Sequence, residues 1–437
     1  MAKVQFVCTL CGAISPRWLG QCPTCQEWDV LVEQRESFTQ KVAAKVKAPP
    51  THSVQDLAAV QLERLPLGLP EVERVLGGGL VPGSLILLGG EPGIGKSTLT
   101  LQIAANLAGK RQKPVLLASG EESAEQIALR AQRLSQTQPL LHLLAENNLE
   151  EILAAAQVLR PQLLVVDSVQ VLASLELASL PGSLPQIRLV TEKFLRFAKD
   201  SGVPVILIGH VTKDGDLAGP RVLSHLVDTV LTFEGDPQRD FRLLRATKNR
   251  FGSTNEVGVF EMLTAGLREV KNPSAAFLAG RAAQPLGSCV AVLCEGNRPL
   301  LAEVQALTIA TNFGYPRRTA SGFDLNRLQL LLAVLERHAG LKFGGSDVFL
   351  NCVGGLKLRE PAADLAVCLA LLSAKLNQAL PQNLAAFGEV GLTGEVRAVT
   401  RSEQRLQEAR KLGFTKVISP QSAKSLKEIL ARLVAKV

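Results

Sequence analysis

No stretch of the chain approaches the ~18 consecutive apolar residues that a membrane span requires. Its start, MAKVQFVCTLCG, has neither the apolar core of a signal peptide nor an Arg- and Ser-rich transit segment. The expectation is a soluble cytoplasmic protein with no membrane partner. The composition of a disordered chain is missing too, since 46% of the residues are hydrophobic and 20% are charged. Excess charge of one sign is modest: 48 Lys and Arg stand against 40 Asp and Glu, a net +8. That balance is compatible with a nucleic-acid partner without establishing one. What the chain does have is length, and 437 residues exceed a single core, so two or three domains are expected.

Eight cysteines in a cytoplasmic setting point to metal or free thiols before disulfides. Four of them, Cys8, Cys11, Cys22 and Cys25, lie in CTLCGAISPRWLGQCPTCQEW. Each C-x-x-C pair forms a knuckle that offers two thiolates on one side, and the ten residues between the pairs suffice for a hairpin joining the knuckles. This supplies the closed tetrahedral sulfur shell that zinc prefers. A redox dithiol or two disulfides are the competing readings. A module of about thirty residues builds little core, so the metal would hold it folded. Cys289, Cys294, Cys352 and Cys368 sit in apolar stretches and read as buried small hydrophobes. After the cysteine box, EQRESFTQKVAAKVKAPPTHSV is polar and basic, contains Pro49 and Pro50, and reads as a linker.

Beyond the linker, β-rich runs alternate with helical stretches, the pattern of a parallel α/β sheet. GSLILLGG runs directly into GEPGIGKST and then the helical LTLQIAANLAG. Strand before and helix after are the context a P-loop needs. The nucleotide cradle is therefore Gly90, Glu91, Pro92, Gly93, Ile94, Gly95, Lys96, Ser97 and Thr98. Gly93 and Gly95 let backbone N–H groups curl around phosphates, Lys96 reaches the β and γ phosphates, and Ser97 ligates magnesium. ATP and magnesium are the expected cofactors beside zinc.

PVLLASGEES ends in Glu121 and Glu122, at the carboxyl edge of the sheet where ligands bind. Glu121 is the candidate for polarising the attacking water; the alternative is an acid stabilising the start of the next helix. PQLLVVDSV ends in Asp167 in the manner of a Walker B strand, whose carboxylate holds magnesium through water. An Asp capping a buried strand is the other reading. VPVILIGH ends in His210, read either as a γ-phosphate sensor or as a structural histidine. VTKDGDLAGPRVLSH, carrying Lys213 and Arg221, and ASLELASLPGSLPQ read as loops that line a nucleic-acid channel or as ordinary connections.

After the strand-like FRLLRAT comes KNRFG, Lys248 to Gly252. A turn needs Asn and Gly but has no use for two cations. The cysteine box, LGGGLVPGSLILLGGEPGIGKST and KNRFG together resemble the bacterial RadA (Sms) family of RecA-related recombination ATPases, over essentially the whole chain. The resemblance implies a ring, most readily a homohexamer similar to DnaB-type helicases. It also implies binding of single-stranded and branched DNA and ATP-driven branch migration in recombination and DNA repair. It assigns Lys96 and Ser97 to phosphate and magnesium, Asp167 to Walker B, Glu121 to catalysis, and Lys248 and Arg250 to the family's own motif. In a ring those two cations would neutralise transition-state charge on a neighbour's nucleotide; contact with DNA phosphates is the other reading. Phe251 would anchor the turn and Gly252 permit its bend. The zinc module is left with two roles, touching DNA or touching a partner such as a recombinase or replicative helicase.

From about residue 275, REPAADLAVCLALLSAKL and FGEVGLTGEVRAV resemble the proteolytic domain of Lon proteases. The serine position reads Ala362, and the lysine position falls on or next to Glu403. A serine–lysine dyad needs a hydroxyl beside an unprotonated amine, so no peptidase activity is expected. Ser373 and Lys375, two apart on a helix, face away from each other. Arg317, Arg318, Lys342, Lys357 and Arg359 form a path for DNA or are scattered surface charge. The expected organisation is a zinc module over 1–33, a linker over 34–53, a RecA-like ATPase over 54–272 and a Lon-protease-like α+β domain over 273–437. The rival functions are a KaiC-like signalling ATPase or kinase, which needs neither the cysteine box nor KNRFG, and a nucleotide-switched scaffold.

Overall fold

The computed structural model describes residues 4–35, 53, 63–110, 113–210, 221–235, 241–283, 285–311 and 315–434. Most of the expected linker and Lys213 lie outside the described residues, as do the side chains of His210 and Arg221. Two compact units divide the chain: Met1–Glu234 with Leu244–Thr254 and Met262–Leu267, and Gly235–Leu243 with Asn255–Glu261 and Arg268–Val437.

The first unit begins with a three-stranded ribbon, β1 (Val4–Cys8), β2 (Ile14–Ser15) and β3 (Leu31–Arg35), with β1 central and antiparallel to both. Its core is little more than Cys8, Cys22 and Leu31, as a short segment dictates.

A nine-stranded sheet follows. Its strands are β4 (Leu85–Gly90), β5 (Val115–Ser119), β6 (Leu141–Ala145), β7 (Leu164–Asp167), β8 (Val205–His210), β9 (Thr229–Gly235), β10 (Phe241–Asn249), β11 (Val257–Leu263) and β12 (Gly266–Glu269). Their order is β12-β11-β10-β9-β4-β8-β7-β5-β6, and β4 to β9 pair in parallel. β4, β5 and β7 are buried at every position, which is why LILLGG, VLLAS and LVVD read as unbroken apolar runs without alternation. Leu85, Leu87, Leu116, Ala118, Leu164, Val166, Val205 and Leu207 share a core with Ile187, Val190, Phe194 and Ala198 of the helix Leu184–Ser201. The P-loop helix Lys96–Lys110 packs against β4, β5 and β7.

The second unit holds a six-stranded sheet of order β15-β16-β14-β13-β17-β20. These strands are β13 (Ser288–Glu295), β14 (Arg298–Ala310), β15 (Arg318–Ser321), β16 (Ser346–Cys352), β17 (Leu384–Ala386) and, after the two-stranded β18 (Glu389–Val390) and β19 (Val396–Arg397), β20 (Lys416–Ile418). The helices Leu325–Ala339 and Asp364–Leu376 supply much of its core. Among the described residues no helix is long and apolar enough to cross a membrane. The fold class is the expected one: a four-cysteine ribbon, a RecA-like parallel sheet and a C-terminal α+β unit.

Candidate functional site

The four thiols of the ribbon converge, with their Sγ atoms all within 4.8 Å of one another. Cys8 and Cys25 Sγ lie 3.6 Å apart and Cys11 and Cys22 Sγ 3.5 Å apart. Those separations are far from a disulfide bond of ~2.05 Å. They are near the ~3.8 Å edge of a tetrahedron with zinc–sulfur distances of about 2.3 Å. In each knuckle backbone N–H groups turn inward. Cys11 N–H donates to Cys8 Sγ at 3.4 Å, and the N–H groups of Cys25 and Thr24 lower the Cys22 thiol to about 6. Desolvation raises Cys11 to about 12, a burial cost that a cation among the thiolates would offset. Cys289, Cys352 and Cys368 are buried in the second unit, as expected of small hydrophobes; Cys294 is half-buried.

The P-loop follows β4. Gly93 (φ +75°) and Gly95 (φ +111°) occupy the left-handed region. A Cβ added at Gly93 would meet nothing within 4 Å, so the backbone there leaves open room for a ligand. A Cβ on Gly90 would come within 2.6 Å of Phe233 O, which fixes glycine at the strand exit. Lys96 is 4% exposed and donates to Gly90 O at 2.9 Å and Glu91 O at 3.0 Å. Burial lowers its pKa, and the charges of Asp167 and Glu121 oppose that shift. The ammonium therefore lies within electrostatic reach of both acids. This donor set fits a phosphate chain: glycine N–H groups, a buried cation and open space beside them.

The acids come from neighbouring strands. Ser119 of β5 pairs with Asp167 of β7, and Gly120 N–H extends the ladder to Asp167 O at 2.9 Å. The Ser168 hydroxyl donates to Glu121 Oε1. The Ser119 hydroxyl accepts from the N–H groups of Glu121 and Glu122 at 3.3 and 3.1 Å. Adjacent strand ends therefore present Glu121 and Asp167 together, and Ser97 opens the helix that leaves the P-loop. Ser97 and Asp167 are the oxygen donors a magnesium ion would take. His210 ends β8 opposite Gly90 in register, so its backbone stands beside the P-loop.

KNRFG lies elsewhere. The Asp228 carboxylate, 2% exposed, accepts from Leu85 N–H at 3.0 Å and Lys199 Nζ at 2.8 Å, and Arg250 Nη1 lies 3.5 Å from it. Leu85 is the first residue of β4, whereas the P-loop leaves its last residue, Gly90. The five residue steps from Leu85 to Gly90 span about 16 Å, so Lys248 and Arg250 stand at the opposite edge of the sheet from their own P-loop. Lys248 Nζ donates to Ser224 O (2.7 Å), His225 O (3.3 Å) and Val227 O (2.7 Å), closing the end of the helix Arg221–Leu226. Burial lowers its pKa, and Arg250 adds to the effect. Asn249 Nδ2 reaches Val75 O and Leu76 O at 3.4 Å, and Arg64 Nη2 donates to Phe251 O at 2.5 Å. A Cβ on Gly252 would lie 3.1 Å from Asn249 Nδ2 and 3.5 Å from Leu76 O, so the turn closes tightly on the helix Pro70–Leu76. Asp228, Lys199, Arg64 and Ser168 escaped the sequence reading. Ser168 had a signal, its place beside Asp167, but the others match no spacing rule.

In the second unit Ala362 is fully buried. The Ser373 hydroxyl donates to Gln378 O at 2.5 Å, while Lys375 Nζ donates to Ser346 Oγ at 2.7 Å. The two side chains thus serve separate partners. Arg405, 0% exposed, pairs with Glu360 and donates to Val292 O at 2.8 Å. Of the suggested basic path, Arg318 directs its guanidinium to the carbonyls of Arg317, Ser346 and Phe343, whereas Arg317 and Lys342 are exposed. Lys357 and Arg359 line a cavity of about 450 Å³ with Arg327, Asp324 and Asp364.

A P-loop with paired acids on adjacent parallel strands, carried behind a four-thiolate ribbon, defines an ATPase of the RecA-like class with a structural metal site. Comparison with known proteins refines this. The AAA domain model matches residues 49–216, the rubredoxin metal binding domain residues 6–33, and subunit ChlI of Mg-chelatase residues 331–423. The DNA repair protein RadA of Streptococcus pyogenes (serotype M3) is 49% identical over 96% of this chain and 93% of its own. Those of Bacillus subtilis strain 168 and Pseudomonas aeruginosa PAO1 are each 48% identical over 96% of this chain, covering 92% and 93% of theirs. Among solved structures, a KaiC-like protein of Pyrococcus horikoshii aligns with 48% of the chain and all of its own at 20% identity and TM-score 0.41. The chain belongs to the RadA family, and it is an ATP-hydrolysing enzyme with a zinc ribbon.

Proposed function

We propose that this ATPase is a DNA-dependent motor of recombination and repair that binds single-stranded DNA and drives branch migration as a ring of six. The relatives' shared name, DNA repair protein, supports the repair setting. The observation that carries the mechanism is the position of KNRFG. Its cations stand at the sheet edge away from their own P-loop: Arg250 pairs with Asp228, which accepts from the first residue of the P-loop strand, and Lys248 donates to the carbonyls of Ser224, His225 and Val227. Cations so placed serve a nucleotide held by a neighbour, where a trans-acting arginine is worth about 10³–10⁵ in rate.

In this reading Glu121 orients the attacking water, Lys96 holds the β and γ phosphates, and Arg250 and Lys248 arrive from the next subunit as charge develops. Magnesium on Ser97 and Asp167 would draw charge off the same phosphates. The ribbon and the cations of the second unit are left for DNA or protein partners. The test is the steady-state ATP hydrolysis rate of zinc-loaded protein with and without single-stranded DNA. Stimulation by DNA is the expected result, and indifference to DNA would contradict the motor reading.

A further inference from the structure

We propose that Arg130 positions Glu121 for catalysis through its ion pair with Glu122; this rests on the reading of Glu121 as the residue that polarises the water. The turn after β5 is held by several groups. The Ser119 hydroxyl collects the N–H groups of Glu121 and Glu122, and Ser168 Oγ binds the Glu121 carboxylate from the neighbouring strand end. Glu122 follows directly, and its carboxylate pairs with the guanidinium of Arg130, whose side chain is 15% exposed.

Glu122 is not needed to start the helix Ala124–Arg133. Ser123 already caps it in a reciprocal capping box, in which the Gln126 N–H reaches Ser123 Oγ at 3.4 Å and the Ser123 N–H reaches Gln126 Oε1 at 3.0 Å. The helix therefore begins without Glu122, whose acid is free of that duty and instead ties the turn to a residue in the helix's last turn. Burial lowers the Arg130 pKa, and the largest opposing influence is the charge of Asp167. The guanidinium thus lies near both acid-bearing strand ends, β5 and β7, which are hydrogen-bonded neighbours. A cation there fixes the main chain at Glu122, and the carboxylate one residue earlier can take few other positions. A misplacement of about 1 Å at such a group costs on the order of a hundredfold in rate.

The experiment is ATP turnover by the full-length protein carrying Arg130→Met, Arg130→Lys, Glu122→Gln, and Glu122→Gln with Arg130→Met. Glu121→Gln and Lys96→Ala serve as references, and a fluorescent ATP analogue reports binding. Arg130→Met should lower kcat about ten- to a hundredfold with KM for ATP and analogue affinity unchanged, and Arg130→Lys should recover part of the loss. Glu122→Gln should match Arg130→Met, and the double variant should fall no further than the worse single one, because the two act along one route. Unchanged kcat in Arg130→Met, a raised KM with kcat kept, or losses that multiply in the double variant would each overturn the proposal. If Arg130→Met does not bind the analogue, Glu122→Gln decides alone: full activity overturns the proposal and a fall in kcat with KM unchanged supports it. Full activity in Glu121→Gln overturns the underlying reading of Glu121 and Arg130's route with it. Loss in Glu121→Gln beside full activity in Arg130→Met overturns only the positioning role.

Discussion

Asp228 joins Arg250 to the strand that carries the P-loop: Arg250 Nη1 lies 3.5 Å from Asp228 Oδ1, while Oδ2 accepts Leu85 N–H at 3.0 Å. The Arg250 N–H also donates to Asp228 O at 3.1 Å, so backbone and side chain are both held. The P-loop strand is thereby tied at its first residue to Arg250 through one carboxylate.

Asp228→Ala leaves the buried Leu85 N–H without its acceptor, at a cost of about 1–3 kcal/mol. It also releases Arg250 and Lys199. Denaturant unfolding should show that loss, and Asp228→Asn, which keeps an acceptor, should recover stability more fully than turnover. Equal stability of Asp228→Ala and wild type would contradict the hub role.

Zinc removal should unfold the ribbon and spare the sheet, because the ribbon's core is two cysteines and one leucine. The chain's two tryptophans, Trp18 and Trp28, both lie in that module and report on it alone. A strong chelator, or Cys22→Ser, should release about one zinc per chain and lower tryptophan anisotropy, with basal ATP turnover retained. Retention of zinc in Cys22→Ser would contradict the four-thiolate site.

The parts legible in the sequence were those whose chemistry is local. The cysteine pairs, the GEPGIGKST turn and the Asp167 strand end each declare themselves within a few residues, and the fully buried strands appear as apolar runs. Arg130, Asp228 and Arg64 were not legible, because their partners lie 8, 143 and 187 residues away and a lone Arg or Asp has no period to betray it. KNRFG sat between these cases. Its two cations announced an anionic target, but only the sheet topology shows that their own P-loop lies out of reach. In the second unit the alanine at the serine position, Ala362, was legible, whereas the pairing of buried Arg405 with half-buried Glu360 was not.

Ala362→Ser should not create a peptidase. The position is fully buried, and Lys375, on the helix that follows it, donates to Ser346 Oγ at 2.7 Å. Casein and fluorogenic peptide hydrolysis should stay at background, and turnover above it would show that a base is within reach.

The most direct measurement mixes two inactive proteins, Lys96→Ala and Arg250→Ala, and follows ATP hydrolysis as a function of their ratio in the presence of single-stranded DNA. In mixed rings an intact P-loop from Arg250→Ala meets an intact Arg250 from Lys96→Ala, so activity should reappear and peak at intermediate ratios. Activity that stays at the level of the separate variants at every ratio, while the two proteins are shown to co-assemble, would contradict action on the neighbour's nucleotide.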